Sequence, residues 1–163
     1  MSEPQSAAKV LDLRANLLDI LTQVPDPEIP VINIVELGIV RDVRLGKPPQ
    51  IIITPTYTGC PATYLITQMI REKLDEYGHQ DVDIKSQLAP VWTTDWITDA
   101  AKTKLKAYGI DPPALSKDKN ALATCPRCSS TNSELISEFG STPCKSLYAC
   151  KDCLEPFDRF KCH

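Results

Sequence analysis

Apolar residues recur at helical spacing near the start of the chain. Between Ala8 and Gln23 they fall every three or four positions, so the pattern predicts an amphipathic helix after a loose tail of residues 1–7. This helix must end before Pro25, the first of three prolines in the segment VPDPEIP of residues 24–30. Prolines so close together exclude a helix or a central strand and predict a rigid, extended loop.

The pattern then changes to that of strands and one further helix. Strands are predicted at about residues 37–45 and 51–53, joined by a turn, and a third strand at residues 82–88. Between the second and third strands, an apolar face predicts a helix that Pro61 begins and Gly78 ends. The order α-β-β-α-β predicts a small α+β domain whose helices cover one face of the sheet.

The last third of the chain predicts a separate metal-binding module. A short helix capped by Thr98 or Asp99 closes the first domain, which occupies residues 1–110, and a Pro-containing linker follows at residues 111–121. Residues 122–163 contain two Cys-x-x-Cys pairs, the spacing of a four-thiolate site in a zinc-ribbon-like hairpin. The predicted metal ligands are Cys125, Cys128, Cys150 and Cys153.

The sequence leaves three questions about this module open. The knuckle spacing favours a structural zinc ion over an iron–sulfur cluster, which four thiolates can also hold. Two disulfides are the alternative to a metal, although disulfides suit an oxidising compartment better. Cys144 and Cys162 are further thiols that could replace one member of the tetrad or pair with each other.

Composition and charge narrow the classes of function. The formal net charge is −3 and neither part of the chain is basic, which argues against a nucleic-acid-binding protein. No apolar run approaches the ~20 residues that span a bilayer, and no secretory leader is visible, so we expect no membrane contact. An odd number of cysteines, 7, leaves at least one free thiol, which suits a cytoplasmic location.

Cys60 is the candidate functional residue of the first domain. It lies between Gly59 and Pro61 at the predicted start of a helix, where unpaired backbone N–H groups and the helix dipole favour a thiolate. Such a sulfur suits a nucleophile or a ligand for a soft metal, and the alternative is a small buried residue that only fills the core. Three threonines add hydroxyl groups nearby: Thr54, Thr56 and Thr58.

Two acidic residues of the proline-rich loop are candidates for an auxiliary role. Asp26 and Glu28 flank Pro27 and could serve as ligands or bases near Cys60. Acidic residues in such loops more often cap a turn, so this alternative stays open. A thiol enzyme is disfavoured, because no histidine lies near Cys60 in the sequence.

Several short segments together resemble known families. The segments PDPEIP (residues 25–30), ELGIV (36–40) and TPTYTGCPA (54–62) are similar to the iron–sulfur assembly family that includes SufT-like proteins, in which Asp-Leu-Gly is usual where this chain has Glu-Leu-Gly. The match extends to PVWTTDW (90–96), CPRC (125–128) and SEFGST (137–142). With these segments, nearly the whole chain resembles the family of D subunits (PaaD or PaaJ) of the ring-1,2-phenylacetyl-CoA epoxidase system.

The resemblance implies a role in aerobic phenylacetate degradation, in which other subunits carry the di-iron centre and the reductase. In agreement, the sequence lacks the Glu and Glu-x-x-His helices of a di-iron site and the Gly-rich fingerprint of a dinucleotide site. The implied role is that of a non-enzymatic accessory factor that assists maturation or repair of the iron–sulfur or di-iron centre. The expected partners are the other epoxidase subunits.

Two hypotheses follow for the first domain. In one, Cys60 binds iron or an iron–sulfur cluster transiently, and a homodimer or another partner supplies further ligands, because one cysteine cannot hold a cluster alone. In the other, the chain is a non-catalytic docking subunit of the epoxidase, and Cys60 only packs in the core. In both hypotheses the ribbon is a structural module that docks a partner.

Overall fold

The computed structural model describes residues 4–118 and 120–161, and the chain divides into two compact units between Val91 and Trp92. The first unit follows the predicted order α-β-β-α-β, which confirms the α+β class. Its elements are α1 (Pro4–Thr22), β1 (Val40–Arg44), β2 (Gln50–Ile53), α2 (Ala62–Glu76) and β3 (Asp83–Ser86).

The first helix is longer than the apolar pattern predicts. It begins at Pro4, so residues 4–7 are helical rather than a loose tail. Proline is tolerated there because the first helical position has no use for a backbone N–H. The helix ends at Thr22, before Pro25, as predicted. No helix within the described ranges is both long and apolar enough to cross a lipid bilayer.

β2 is the central strand of the first sheet. It pairs antiparallel with β1 and parallel with β3, and the parallel pairing requires the crossover that α2 provides. Ile51, Ile52 and Ile53 are all buried, so both faces of this strand are covered. α1 contacts both β1 and α2, which places the two helices on the same side of the sheet.

β1 is shorter than the predicted strand. It begins at Val40 instead of residue 37, because Gly38 has a φ of 75°, which is incompatible with an extended strand. The preceding residues form turns in which Asn33 Oδ1 accepts the N–H groups of Val35 and Glu36, at 3.0 and 2.9 Å. The Glu-Leu-Gly segment therefore ends a turn and does not open the strand.

The second unit contains a short helix and a mixed sheet. Thr98 caps α3 by accepting the Ala101 N–H at 3.1 Å, as predicted, and Gly109 ends the helix with a φ of 93°. The strand order is β4-β7-β6-β5, in which β4 and β7 are parallel and the other pairs antiparallel. The elements are α3 (Asp99–Tyr108), β4 (Ile110–Asp111), β5 (Ser133–Ser137), β6 (Lys145–Cys150) and β7 (Pro156–Phe160).

The division between the units differs from the boundary expected at residue 110. Trp92 is buried, and its ring centroid lies 6.0 Å from that of Phe160 in β7. Asp111, the first residue of the expected linker, lies in β4 opposite Arg159 of β7. Residues 92–111 therefore pack with the cysteine module, through contacts that no local sequence pattern indicates.

Candidate functional site

Two turns of the second unit bring four cysteines together. One turn, at residues 125–128, precedes β5, and the other, at residues 150–153, follows from the end of β6. The residues directly after them, Ser129 and Leu154, have positive φ values of 62° and 61°, which non-glycine residues rarely adopt. In each turn the first cysteine donates its N–H to a carbonyl five residues further on, over 2.8 and 2.9 Å. The two turns thus share one local geometry.

The separations between the sulfur atoms fit a tetrahedral metal ion. Cys125 Sγ lies 3.7 Å from Cys153 Sγ, Cys128 Sγ lies 3.6 Å from Cys150 Sγ, and all four atoms lie within 4.8 Å of one another. Metal–sulfur bonds of about 2.3 Å in a tetrahedron place the sulfur atoms about 3.8 Å apart. Disulfide sulfurs would lie about 2.05 Å apart. The geometry favours a shared ion over two disulfides.

Backbone N–H groups favour negative charge on these sulfurs. The Cys153 N–H, helped by the Asp152 N–H and opposed by burial, lowers the pKa of the Cys150 thiol to about 7. The Ser130 N–H acts on Cys128 in the same direction, but burial and the neighbouring thiols raise the pKa of Cys128 to about 12. Without a cation, four thiolates so close together repel one another, and a metal ion removes this conflict.

The remaining cysteines of the module do not join the tetrad where they are described. Cys144 is buried, and its Sγ lies 3.0 Å from Thr142 Oγ1. Cys162 lies outside the described residues. Across residues 4–118 and 120–161, the tetrad is the only group of three or more Cys, His, Asp or Glu side chains placed to share a metal ion. The alternative in which Cys144 replaces a tetrad member is therefore not supported.

Cys60 lies on a tight turn between β2 and α2. Its N–H donates to the Tyr57 carbonyl at 3.3 Å, and its own carbonyl accepts the Thr63 N–H at 3.1 Å. Gly59 has a φ of 81°, and a Cβ atom there would meet no atom within 4 Å, so the backbone conformation and not space requires glycine. No side chain caps the start of α2, and Cys60 is half-buried at that start.

A buried hydroxyl lies at the beginning of the same connection. Thr54 is 1% exposed and donates its N–H to the Ile39 carbonyl at 2.8 Å. Its Oγ1 has no hydrogen-bond partner among the residues that the structure describes. Leaving such a group unsatisfied costs about 1–3 kcal/mol, so Thr54 is a candidate for contact with a ligand of the Cys60 turn. The run of threonines in the sequence does not distinguish it from Thr56 and Thr58.

The structure gives Asp26 the role of a turn cap. Its side chain is buried, and Oδ1 accepts the N–H groups of Glu28 and Ile29 at 2.9 and 2.8 Å. This arrangement is typical of aspartate in a proline-rich turn. The described residues do not gather Asp26, Glu28 and Cys60 into one set of metal ligands. A joint role of these three residues stays a hypothesis.

Comparison with known proteins gives the family. Residues 14–85 match the family of iron–sulfur cluster assembly proteins, and residues 110–161 match the PaaD zinc beta ribbon domain. A protein of Escherichia coli (strain K12), described as the D subunit of a putative 1,2-phenylacetyl-CoA epoxidase, is 51% identical over 147 residues, which are 88% of this chain and 89% of the relative. The chain belongs to the family of PaaD-like phenylacetyl-CoA epoxidase D subunits. The resemblance inferred from the sequence is thereby confirmed.

Solved structures resemble the chain as well. The crystal structure of a domain of unknown function, DUF59, from Bacillus anthracis superposes with a TM-score of 0.55 at 26% identity, over 61% of this chain and 96% of that one. A solution structure from Mycobacterium tuberculosis, of a protein associated with Fe–S complex assembly and repair, is 34% identical over 67% of this chain and 94% of that one, with a TM-score of 0.34. The first superposition supports the α+β fold.

Proposed function

We propose that the chain is an accessory factor that assists maturation or repair of an iron–sulfur or di-iron centre of phenylacetyl-CoA epoxidase, and that it is neither the oxygenase nor the reductase. Cys60 takes up iron or a cluster transiently, as cargo. The observation that carries the proposal is the position of Cys60. It is the sole cysteine of residues 1–91, it is half-buried on a glycine-dependent turn, and its unit matches the iron–sulfur cluster assembly family.

The cargo needs ligands from outside this unit. A single thiolate cannot hold a cluster, and residues 1–91 contain no second cysteine. Asp26 already uses one carboxylate oxygen as a turn cap, so Glu28 is the freer of the two acidic candidates for an auxiliary ligand. The other epoxidase subunits are the proposed partners that complete the site, with a second copy of the chain as the alternative.

The tetrad holds one structural zinc ion in this proposal. Four thiolates with close separations of 3.6 and 3.7 Å suit a single tetrahedral ion. A polynuclear cluster binds each thiolate to a different iron and would hold the sulfurs farther apart. When bound, the zinc stabilises the fold of the module, because its binding free energy is available only to the folded chain.

Metal analysis of anaerobically purified protein tests the tetrad. We expect one zinc and no iron per chain, and Cys125→Ser or Cys150→Ser is expected to lose the zinc and the protease resistance of the second unit. Two or more irons with acid-labile sulfide in the wild type would overturn the zinc assignment. Full metal content in either variant would overturn the ligand assignment.

Replacement of Cys60 tests the cargo site. In cells that depend on the epoxidase, Cys60→Ser is expected to abolish epoxidase activity and lower the iron content of the purified oxygenase. The variant chain should keep its zinc and its fold. Thr58→Ala is the matched control, because Thr58 is exposed in the same turn and is not an assigned ligand. Full activity of Cys60→Ser would refute the proposal.

A docking subunit without a cargo role is the second candidate. Exposed apolar side chains on and beside β5 favour it: Leu135 is 44% exposed, Ile136 55% and Phe139 65%. In that case Cys60→Ser would retain activity, and Phe139→Ser would lose co-purification with the oxygenase subunits. Loss of activity in Cys60→Ser with co-purification intact would instead support the cargo role.

A further inference from the structure

Side-chain contacts link the two cysteine turns independently of the sulfur atoms. Arg127, the third residue of the first turn, forms an ion pair with Glu155. Asp152, the third residue of the second turn, accepts hydrogen bonds from Ser130 Oγ and, at 2.7 Å, from Asn132 Nδ2. Glu155 and Ser130 each lie two residues after the last cysteine of the opposite turn. Equivalent positions are therefore joined in both directions.

The residues held in this way are the ones whose backbones contact the sulfurs. The Ser130 N–H donates to Cys128 Sγ, and the Glu155 N–H donates to Cys153 Sγ. Cys128 belongs to the close pair of sulfurs at 3.6 Å, and Cys153 to the pair at 3.7 Å. Each contact between the turns thus lies behind one of the two close sulfur pairs.

We propose that Asp152 and Arg127 are positioning residues of the metal site, each of which holds the N–H donor of the opposite turn against its cysteine sulfur. The inference rests on the proposed metal in the tetrad. An N–H···S bond stabilises the thiolate that binds the metal, and the partners that orient metal ligands commonly change affinity by about 10–100-fold. No spacing rule in the sequence identifies these two residues.

The two contacts differ in their chemistry and therefore in their response to salt. The Arg127–Glu155 pair is exposed, with 67% and 45% of the side chains accessible, so dissolved ions screen it. Asp152 accepts from two uncharged donors, and the adjacent Lys151 N–H also donates to the Asn132 carbonyl at 2.8 Å. Asp152 is expected to retain its effect at high salt, whereas Arg127 is expected to lose its effect there.

The rate of zinc transfer from the full-length, zinc-loaded chain to an excess of a chromophoric chelator tests the proposal. Asp152→Ala and Ser130→Ala are each expected to release zinc about tenfold faster, the lower end of the range for such partners. Their double variant should be no faster than either, because both remove the same contact. Asp152→Asn keeps an acceptor and should restore part of the effect. Lys151→Ala is the matched control, since it removes only an exposed ion pair with Glu134 from the same turn.

A spectroscopic readout separates positioning from a merely structural role. In cobalt-loaded protein, loss of an N–H donor raises the energy of the sulfur lone pairs, so the sulfur-to-cobalt charge-transfer band should shift to lower energy in Asp152→Ala and, at low salt, in Arg127→Ala. A folded chain that releases zinc at the wild-type rate with an unshifted band would overturn the proposal. So would equally fast release from Lys151→Ala.

The outcomes also separate this inference from the proposed function. A wild-type chain that holds no metal would overturn the assignment of the tetrad and this inference with it. Zinc bound at one per chain, but with unchanged release in both Ser130→Ala and Asp152→Asn, would overturn only the positioning role. These two milder variants decide the question if Asp152→Ala fails to fold.

Discussion

Replacement of Arg159 by methionine tests what holds the first cysteine turn in place. The Arg159 guanidinium lies 3.3 Å from Asp111 Oδ2, and only 12% and 8% of the two side chains are exposed. The same Oδ2 accepts the N–H of Thr124, the residue before Cys125, at 3.0 Å. Methionine keeps the length of the side chain and can still contact the Tyr148 ring, over which the guanidinium lies at 6.0 Å. The variant therefore removes mainly the charge.

The expected loss of stability follows from the environment of Asp111. Burial raises the pKa of this carboxyl, while the Thr124 N–H and the Arg159 guanidinium lower it. Without Arg159 the pKa rises further. A carboxyl that must stay protonated at pH 7, against an unfolded pKa of about 3.9, costs at most about 4.2 kcal/mol. Because breaking a buried ion pair costs about 3–5 kcal/mol, we expect a loss of about 3–4 kcal/mol at pH 7.

The sign of the pH dependence follows from the same argument. A folded-state pKa raised above the unfolded value gives stability that is fully present below about pH 3.9 and is lost as the pH rises through the folded pKa. The deficit of Arg159→Met is therefore largest at neutral pH. It shrinks on acidification by up to about 1.4 kcal/mol per pH unit.

Urea unfolding followed by tryptophan fluorescence measures this effect in the second unit alone, because both tryptophans, Trp92 and Trp96, lie there. The control is the double variant Asp111→Asn/Arg159→Met, whose asparagine can still accept the Thr124 N–H and does not titrate. Comparison of the two variants cancels the effect of acid on the thiolates. The double variant should recover most of the lost stability. Wild-type stability of the single variant, or a difference that does not vary with pH, would refute the reasoning.

Three further substitutions give separate tests. Gly59→Ala should destabilise the Cys60 turn by about 1–2 kcal/mol, because its φ of 81° is strained for alanine, and faster hydrogen exchange at the start of α2 would show this. Leu154→Gly should raise the urea midpoint of the second unit, by relief of about 1–2 kcal/mol of strain at a φ of 61° less the entropy of glycine, whereas Leu154→Ala should not. Thr54→Val should leave the thermal stability of the first unit unchanged or raise it, since the hydroxyl has no hydrogen-bond partner among the described residues; a clear decrease would mean that it has one.

The parts of the fold with strong local signals could be predicted from the sequence. Three consecutive isoleucines mark β2, and proline and glycine set the ends of α1 and α2. The two Cys-x-x-Cys turns could be predicted for the same reason, because each pair needs only three consecutive peptide bonds in one conformation. The placement of Cys60 at the start of α2 is confirmed, while its function stays a proposal.

The parts that could not be predicted depend on contacts between distant residues. β4 has only two residues, too few for any periodicity, and it is a strand only because β7 lies beside it. The contacts of Asp152 with Ser130 and of Arg127 with Glu155 join residues of two separate turns. Whether Thr54 finds a hydrogen-bond partner likewise depends on the packed core, and not on its neighbours in the chain.

The parallel pairing of β4 with β7 has a consequence for any shortened form of the protein. A fragment that began at residue 122, where the Cys-x-x-Cys pattern suggests that the module starts, would lose β4 and the ring of Trp92. β7 would then become an edge strand with unpaired backbone groups, and Phe160 would lose an aromatic neighbour. Exposed edges of this kind promote aggregation between chains. A fragment that begins at residue 92 keeps this edge covered.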